Sequence, residues 1–191
     1  MTSDQKSLLA KNRLVLGDNI NRDTFFYFRE SIFQKILEGS PRLLIMISSN
    51  GGETSAGLDI CDLLTYYPGH KTATIHGVAA SMAAVILQTC DWRSATTHSR
   101  VLIHHISVSK ITIDTIRDAE KMKKFSGGME REQAKLYQIL MGRSGRTLEE
   151  IRATCELDSP MTAQEALQYG LLDQIITKET EIKFPEEEKK S

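Results

Sequence analysis

Within Ile75-His76-Gly77-Val78-Ala79-Ala80-Ser81-Met82-Ala83-Ala84, one serine stands among glycine and alanine, where backbones approach closely. A hydroxyl so placed can act as a nucleophile once a base accepts its proton. Thr72 to Ile75 alternates as a short strand does, and Ser81 to Leu87 has the apolar density of a buried helix, which predicts Ser81 at a strand-to-helix turn. There the Met82 amide is an unpaired helix-terminal donor able to stabilise an oxyanion. The competing reading of the same segment is that Ser81 only caps a core helix.

Three further groups of residues could complete that chemistry. Leu43 to Ile47 is an apolar run that breaks into Ser48-Ser49-Asn50-Gly51-Gly52, and Gly52 could offer a second oxyanion donor facing the Met82 amide. Two converging donors suit acyl transfer, where losing one typically costs roughly 3 to 4 kcal/mol of transition-state stabilisation. Arg100-Val101-Leu102-Ile103-His104-His105-Ile106 reads as a strand carrying two histidines. Side chains alternate along a strand, so at most one of them can address Ser81, and His105 is the fallback if the register shifts by one. Asp158 precedes Ser159-Pro160 and reads as a loop aspartate, while Thr162 and Glu165 form a capping box beyond it. A carboxylate there could orient a histidine, or merely solvate a turn.

The elements that must position these residues alternate in type: strand 13–16, helix 23–37, strand 43–48, helix 56–66, strand 72–76 and helix 81–88. Alternation of this kind predicts an α/β fold with a parallel sheet, right-handed crossovers and ligand sites at the strand C-terminal ends. A helical stretch from Asp114 to Leu140 follows the histidines, with Gly127-Gly128 as an expected break. Its apolar positions Ile116, Met122, Phe125, Met129 and Leu136 call for a partner, hence an oligomer. Ser144-Gly145 closes one helix, Thr147 with Glu150 opens another, and Gly170 stops the helix that begins at Thr162.

These motifs together resemble the proteolytic subunit of the Clp protease family, over about Arg13 to Ile176. The resemblance rests on Gly77-Val78-Ala79-Ala80-Ser81-Met82, the Gly51-Gly52 loop, Ser99 to His104, and the closing stretch Met161 to Asp173. It implies a ClpP/crotonase-like fold of stacked ββα units with a projecting handle helix. It also implies an ATP-dependent serine endopeptidase of unfolded polypeptides, with Ser81 as nucleophile, His104 as general base, Asp158 orienting the histidine, and Gly52 and Met82 as oxyanion amides. Homo-oligomeric rings and an AAA+ unfoldase partner follow from the same resemblance, with a variable segment at 1–12, the peptidase domain at 13–178 and a charged tail at 179–191. The order Ser, His, Asp and the missing Gly-x-Ser-x-Gly elbow set the chain apart from α/β-hydrolases.

The chain departs from the family pattern at several places. Asn50 stands where the family has a proline, and Ile106 where a second proline usually follows the histidine. Ser107 to Thr112 lacks the family's glycines but alternates as a substrate-pairing strand would. Leu44 and Met46 replace aromatics of the partner-docking pockets, whereas Tyr66 keeps one. Met1 to Lys11 does not resemble the family's pore loops, and Lys183 to Ser191 is charged without an apolar period, which predicts disorder.

Composition narrows the remaining classes. The 191 residues suit one domain, and 24 basic against 25 acidic residues give a formal charge of −1 with no basic stripe for nucleic acid. Cys61, Cys90 and Cys155 are widely spaced, which predicts reduced thiols in a cytoplasmic setting and no zinc site. No signal-peptide pattern and no run of eighteen apolar residues occurs, so neither secretion nor membrane spanning is expected. No phosphate loop is present, so ATP would be spent by a separate partner, and neither metal nor organic cofactor is expected. Two alternatives stay open: a non-catalytic ring subunit, and a crotonase-type acyl-CoA enzyme, which also holds a carbonyl oxygen on two backbone amides.

Overall fold

A computed structural model describes residues 1–108 and 110–177; the charged tail named above lies outside the described residues. The elements are α1 (Ser3–Leu9), β1 (Arg13–Ile20), α2 (Arg22–Leu37), β2 (Leu43–Gly52), α3 (Thr54–Tyr66), β3 (Lys71–Ala80) and α4 (Met82–Leu87). There follow β4 (Trp92–Thr96), β5 (Arg100–Leu102), α5 (Ile113–Arg117), α6 (Ala119–Ser144), α7 (Leu148–Leu157), β6 (Met161–Thr162), α8 (Ala163–Tyr169) and β7 (Gln174–Ile176). The strands form one sheet in the order β1-β2-β3-β4-β7, parallel throughout this path. This is the mixed α/β, parallel-dominated architecture that the alternating pattern predicts.

The sheet forks at β3, and the fork builds the site. Residues Thr72 to Ile75 of β3 pair with β4, whereas Val78 to Ala80 pair with β5. Between them the β2–β3 register slips, from Ile47 opposite Ile75 to Ser49 opposite Ala79. Gly77 makes the bend at φ +96°, and its amide donates to Ser99 Oγ at 3.2 Å. A side chain would resist that backbone; glycine does not. Residues 76–78 are thus a bulge that turns the end of β3 towards β5.

The core lies between the sheet and its helices. Leu14, Leu16, Ile45, Ile47, Ala73 and Ile75 are fully buried on the strands, against Phe28 and Ile32 of α2, Ile60 and Leu64 of α3 and Ala83, Ala84 and Ile86 of α4. On α1, closed by a Thr2/Gln5 capping box, Leu9 reaches this core. Among the described residues no helix is long and apolar enough to cross a membrane.

Two expectations about the second half need correction. The long helix does not break at Gly127-Gly128; α6 runs through both for 26 residues, and the interruption falls at Asp118. The Asp118 carboxylate accepts from the Glu120 and Lys121 amides at 3.0 Å each, so it restarts the helix as an N-cap. Only Leu136, Tyr137 and Leu140 of α6 are buried, which leaves Met122, Phe125 and Met129 outside the core. The strand carrying the histidines ends at Leu102 rather than running on to Ile106, and Ser107, Val108 and Lys110 to Thr112 form no strand.

The C-terminal strand is tied down by a charge pair. Arg93, 4% exposed, donates from Nε to Asp173 Oδ2 at 2.9 Å and from Nη2 to Oδ1 at 2.5 Å. Burial alone would raise the Asp173 pKa, but the Arg93 hydrogen bonds and charge outweigh it and hold the carboxyl below its ordinary value of 3.8. A depressed folded-state pKa stabilises above the unfolded value and loses that contribution as pH falls through the folded one. Asp173→Asn, which leaves the buried Arg93 charge without its carboxylate, is expected to cost about 3 kcal/mol at neutral pH. The gap in melting temperature between variant and wild type should close as the pH drops below about 4.

Candidate active site

Ser81 sits where β3 passes into α4, with φ 55° and ψ −127°. Non-glycine residues rarely adopt positive φ, and such strain gathers at functional sites. The capping alternative fails on a direct observation: the Ser81 side chain makes no cap hydrogen bond to α4. Its hydroxyl is therefore left for another task. The main chain is held firmly instead, the Ser81 amide donating to the Leu102 carbonyl at 2.9 Å.

That bond, continuing the ladder in which Ala79 faces Val101 and Ala80 faces Leu102, makes β3 and β5 end at the same level. Ser81 is one residue past the end of β3 and His104 two past the end of β5, so both emerge from the sheet at one edge. They line the same small cavity, about 50 Å³, together with Gly52 and Met82. On the outer side Ser81, His104 and Gly52 also line an open cleft of about 530 Å³ with Asn19, Asn50, Gly51 and Ser107. Four of the five sequence-predicted site residues therefore share one cavity.

Gly51 and Gly52 do different work from each other. At Gly51 (φ +94°) an added Cβ would lie 2.6 Å from Ser81 Cβ, 2.8 Å from Ala80 O and 3.0 Å from Met82 N. The loop is thus wedged directly on the serine turn by Gly51, the residue that sequence reasoning passed over in favour of Gly52. At Gly52 (φ +155°) a Cβ would meet Ile20 O at 2.2 Å, so this glycine lets β2 stay paired to β1 up to the cavity.

Asp158 stands apart from the other four. It closes α7 at φ 43° and ψ 42°, a left-handed conformation that aspartate tolerates, and no hydrogen bond joins it to His104 among the described residues. The stretch that follows it returns to the sheet next to the histidine segment. β6 pairs antiparallel with β5, Met161 opposite Val101 and Thr162 opposite Arg100. The pairing goes no further, because β5 ends at Leu102 and Asp158 lies outside β6 in the left-handed turn that closes α7.

The two histidines are distinguished by their partners rather than by opposite faces. Because β5 ends at Leu102, strand alternation no longer separates them, and both line the small cavity. His105 has both ring nitrogens engaged: Tyr137 Oη lies 2.7 Å from Nδ1 and Glu156 Oε2 lies 3.1 Å from Nε2. His104 carries no such bond among the described residues, and its ring lines the cavity that Ser81 also lines. The three cysteines offer no rival nucleophile. All are buried, and burial pushes Cys155 up to about 11, Cys90 up to about 12 and Cys61 higher still, leaving neutral thiols at physiological pH.

Residues 1–179 match the family model described as Clp protease. An ATP-dependent Clp protease proteolytic subunit of Bacteroides fragilis is 37% identical over 142 residues, covering 70% of this chain and 63% of that protein. A protein of the same description from Bacteroides thetaiotaomicron is also 37% identical over 142 residues, with 60% of its length covered. A subunit 1 of that description from Protochlamydia amoebophila is 29% identical over 182 residues, covering 93% of this chain and 86% of its own. The chain belongs to the Clp protease family.

Proposed function

We propose that the chain is a serine peptidase subunit that cleaves unfolded polypeptides through an acyl-enzyme on Ser81. The observation that carries this reading is Ser81 itself: a strained, uncapped serine sharing a cavity with His104, which has no hydrogen-bond partner among the described residues. His104 accepts the hydroxyl proton as Ser81 attacks the scissile carbonyl, then returns it to the leaving amine. Water, deprotonated by the same ring, resolves the ester. Gly52 and Met82 supply the amides for the oxyanion, and Asp158 orients His104 when its carboxylate reaches the ring from the end of α7.

Substrate and partners follow the same reading. The open cleft beside Asn50 and Ser107 accepts an extended chain rather than a folded surface. Ring assembly covers the apolar residues of α6 that the core leaves out, Met122, Phe125 and Met129. An AAA+ unfoldase of the same compartment, the cytoplasm, docks on the groove formed by Phe25, Phe33, Leu63 and Tyr66, where Tyr66 is 71% exposed.

One observation favours a second reading. A non-catalytic ring subunit would lack an Asp158–His104 bond, and none is found among the described residues. Labelling with a serine-reactive fluorophosphonate and mapping the adduct by mass separates the two. An adduct on Ser81, absent in Ser81→Ala, is expected. Folded, assembled protein that takes no label would make the chain non-catalytic.

A further inference from the structure

The segment that carries His104 leaves the sheet after Leu102, and three side-chain hydrogen bonds from two helices hold it. Gln133 Oε1 accepts from the Ile106 amide at 2.6 Å, and Tyr137, four residues on along the same face of α6, meets His105 Nδ1 at 2.7 Å. Glu156, in the last turn of α7, meets His105 Nε2 at 3.1 Å. The array is chemically consistent. Burial raises the Tyr137 phenol above its ordinary 10.0, so its O–H is intact at neutral pH and donates to Nδ1. The imidazole proton then sits on Nε2 and is donated to the Glu156 carboxylate.

We propose that His105 is a positioning residue for the reaction proposed above: bridging Tyr137 of α6 and Glu156 of α7, it fixes the segment that aims His104 at Ser81. The inference rests on that reading of Ser81 and His104. Glu156 lies two residues before Asp158, so the same bridge also ties the carboxylate's helix to the histidine's segment. The bridge adds little to folding stability, because the His105 and Glu156 side chains are 39% and 81% exposed. Its worth is directional, and misplacing a catalytic group by an ångström can cost about 100-fold in rate.

The test compares His105→Ala with His105→Gln, whose amide offers an acceptor for Tyr137 and a donor for Glu156. With a fluorogenic peptide, His105→Ala is expected to lower kcat roughly 10- to 100-fold with KM within about threefold, at unchanged melting temperature and assembly. His105→Gln should stay within about threefold of wild type. Tyr137→Phe should fall between them. Imidazole NMR reads the same point without turnover: the His104 ring signals should broaden or split in the alanine variant and remain single in the glutamine variant.

An alanine variant with wild-type kcat and unaltered His104 signals overturns the positioning role while leaving the Ser81–His104 reading intact. Equal inactivity of His105→Ala and His105→Gln, with His104→Ala active, would make His105 the base and overturn both. If Ser81→Ala hydrolyses peptide as wild type does, the reading of the site fails, and the NMR comparison alone decides the bridge.

Discussion

His104→Ala is expected to lower kcat for peptide hydrolysis by roughly 10⁴- to 10⁶-fold, the scale on which removing the base of a serine–histidine pair acts. Two adjacent histidines line the cavity, so the size of this loss against that of His105→Ala is the informative quantity. A base must offer a free lone pair to the serine hydroxyl. His105 has spent one nitrogen on Tyr137 and the other on Glu156, whereas among the described residues the His104 ring has no hydrogen bond and lines both the small cavity and the open cleft. The alanine variant at His104 should keep its melting temperature, since the ring is only half-buried and anchors nothing. Fluorophosphonate labelling of Ser81 should slow in parallel with kcat, because both need the hydroxyl deprotonated. A His104→Ala enzyme that keeps more than a tenth of its activity would remove His104 from the base's role.

Features specified by neighbouring residues were legible in the sequence, and those specified by distant partners were not. The capping boxes at Thr147/Glu150 and Thr162/Glu165 and the left-handed stops at Gly145 and Gly170 stand where local chemistry puts them. The place of Ser81 at a strand-to-helix turn was legible because Thr72 to Ile75 alternates and Ser81 to Leu87 is densely apolar. The end of β5 was not legible. Alternation continues to Ile106 in the sequence, but the strand needs β3 as its ladder, and β3 turns away after Ala80. The Gly127-Gly128 expectation treated about 1 kcal/mol per glycine as decisive. A long run of Glu, Lys and Arg formers carries α6 through them, while Asp118 held a cap signal that was there to be read. β4 passed unseen because Trp92-Arg93-Ser94-Ala95-Thr96 is polar in sequence and buried through distant partners, Asp173 and Gln88 for Arg93 and Thr74 for Ser94. The Tyr137–His105–Glu156 bridge joins three elements that nothing local connects.

Gly51→Ala is expected to damage the site through the serine turn itself. The new Cβ would have to occupy space 2.6 Å from Ser81 Cβ, which is fixed directly to the main chain, and 2.8 Å from the main-chain carbonyl of Ala80. Neither can yield as a flexible side-chain tip would, and φ +94° is already a conformation that an L-residue resists. Backbone strain of this kind costs on the order of 1 to 3 kcal/mol, and the overlap adds to it, so a loss of about 2 to 4 kcal/mol in unfolding free energy is expected. Whatever part of the overlap is relieved by movement shifts Ser81 relative to His104, and kcat should fall by about 100-fold or more in the fraction that folds. Gly142→Ala is the control. It lies on α6 with no heavy atom within 4 Å of the added Cβ, and a helical glycine replaced by alanine should gain roughly 0.8 to 1 kcal/mol. Urea melts and peptide kinetics on the two variants measure both quantities. Were Gly51→Ala to match wild type in both, the wedge of Gly51 against the serine turn could not be what holds Ser81 in its strained geometry.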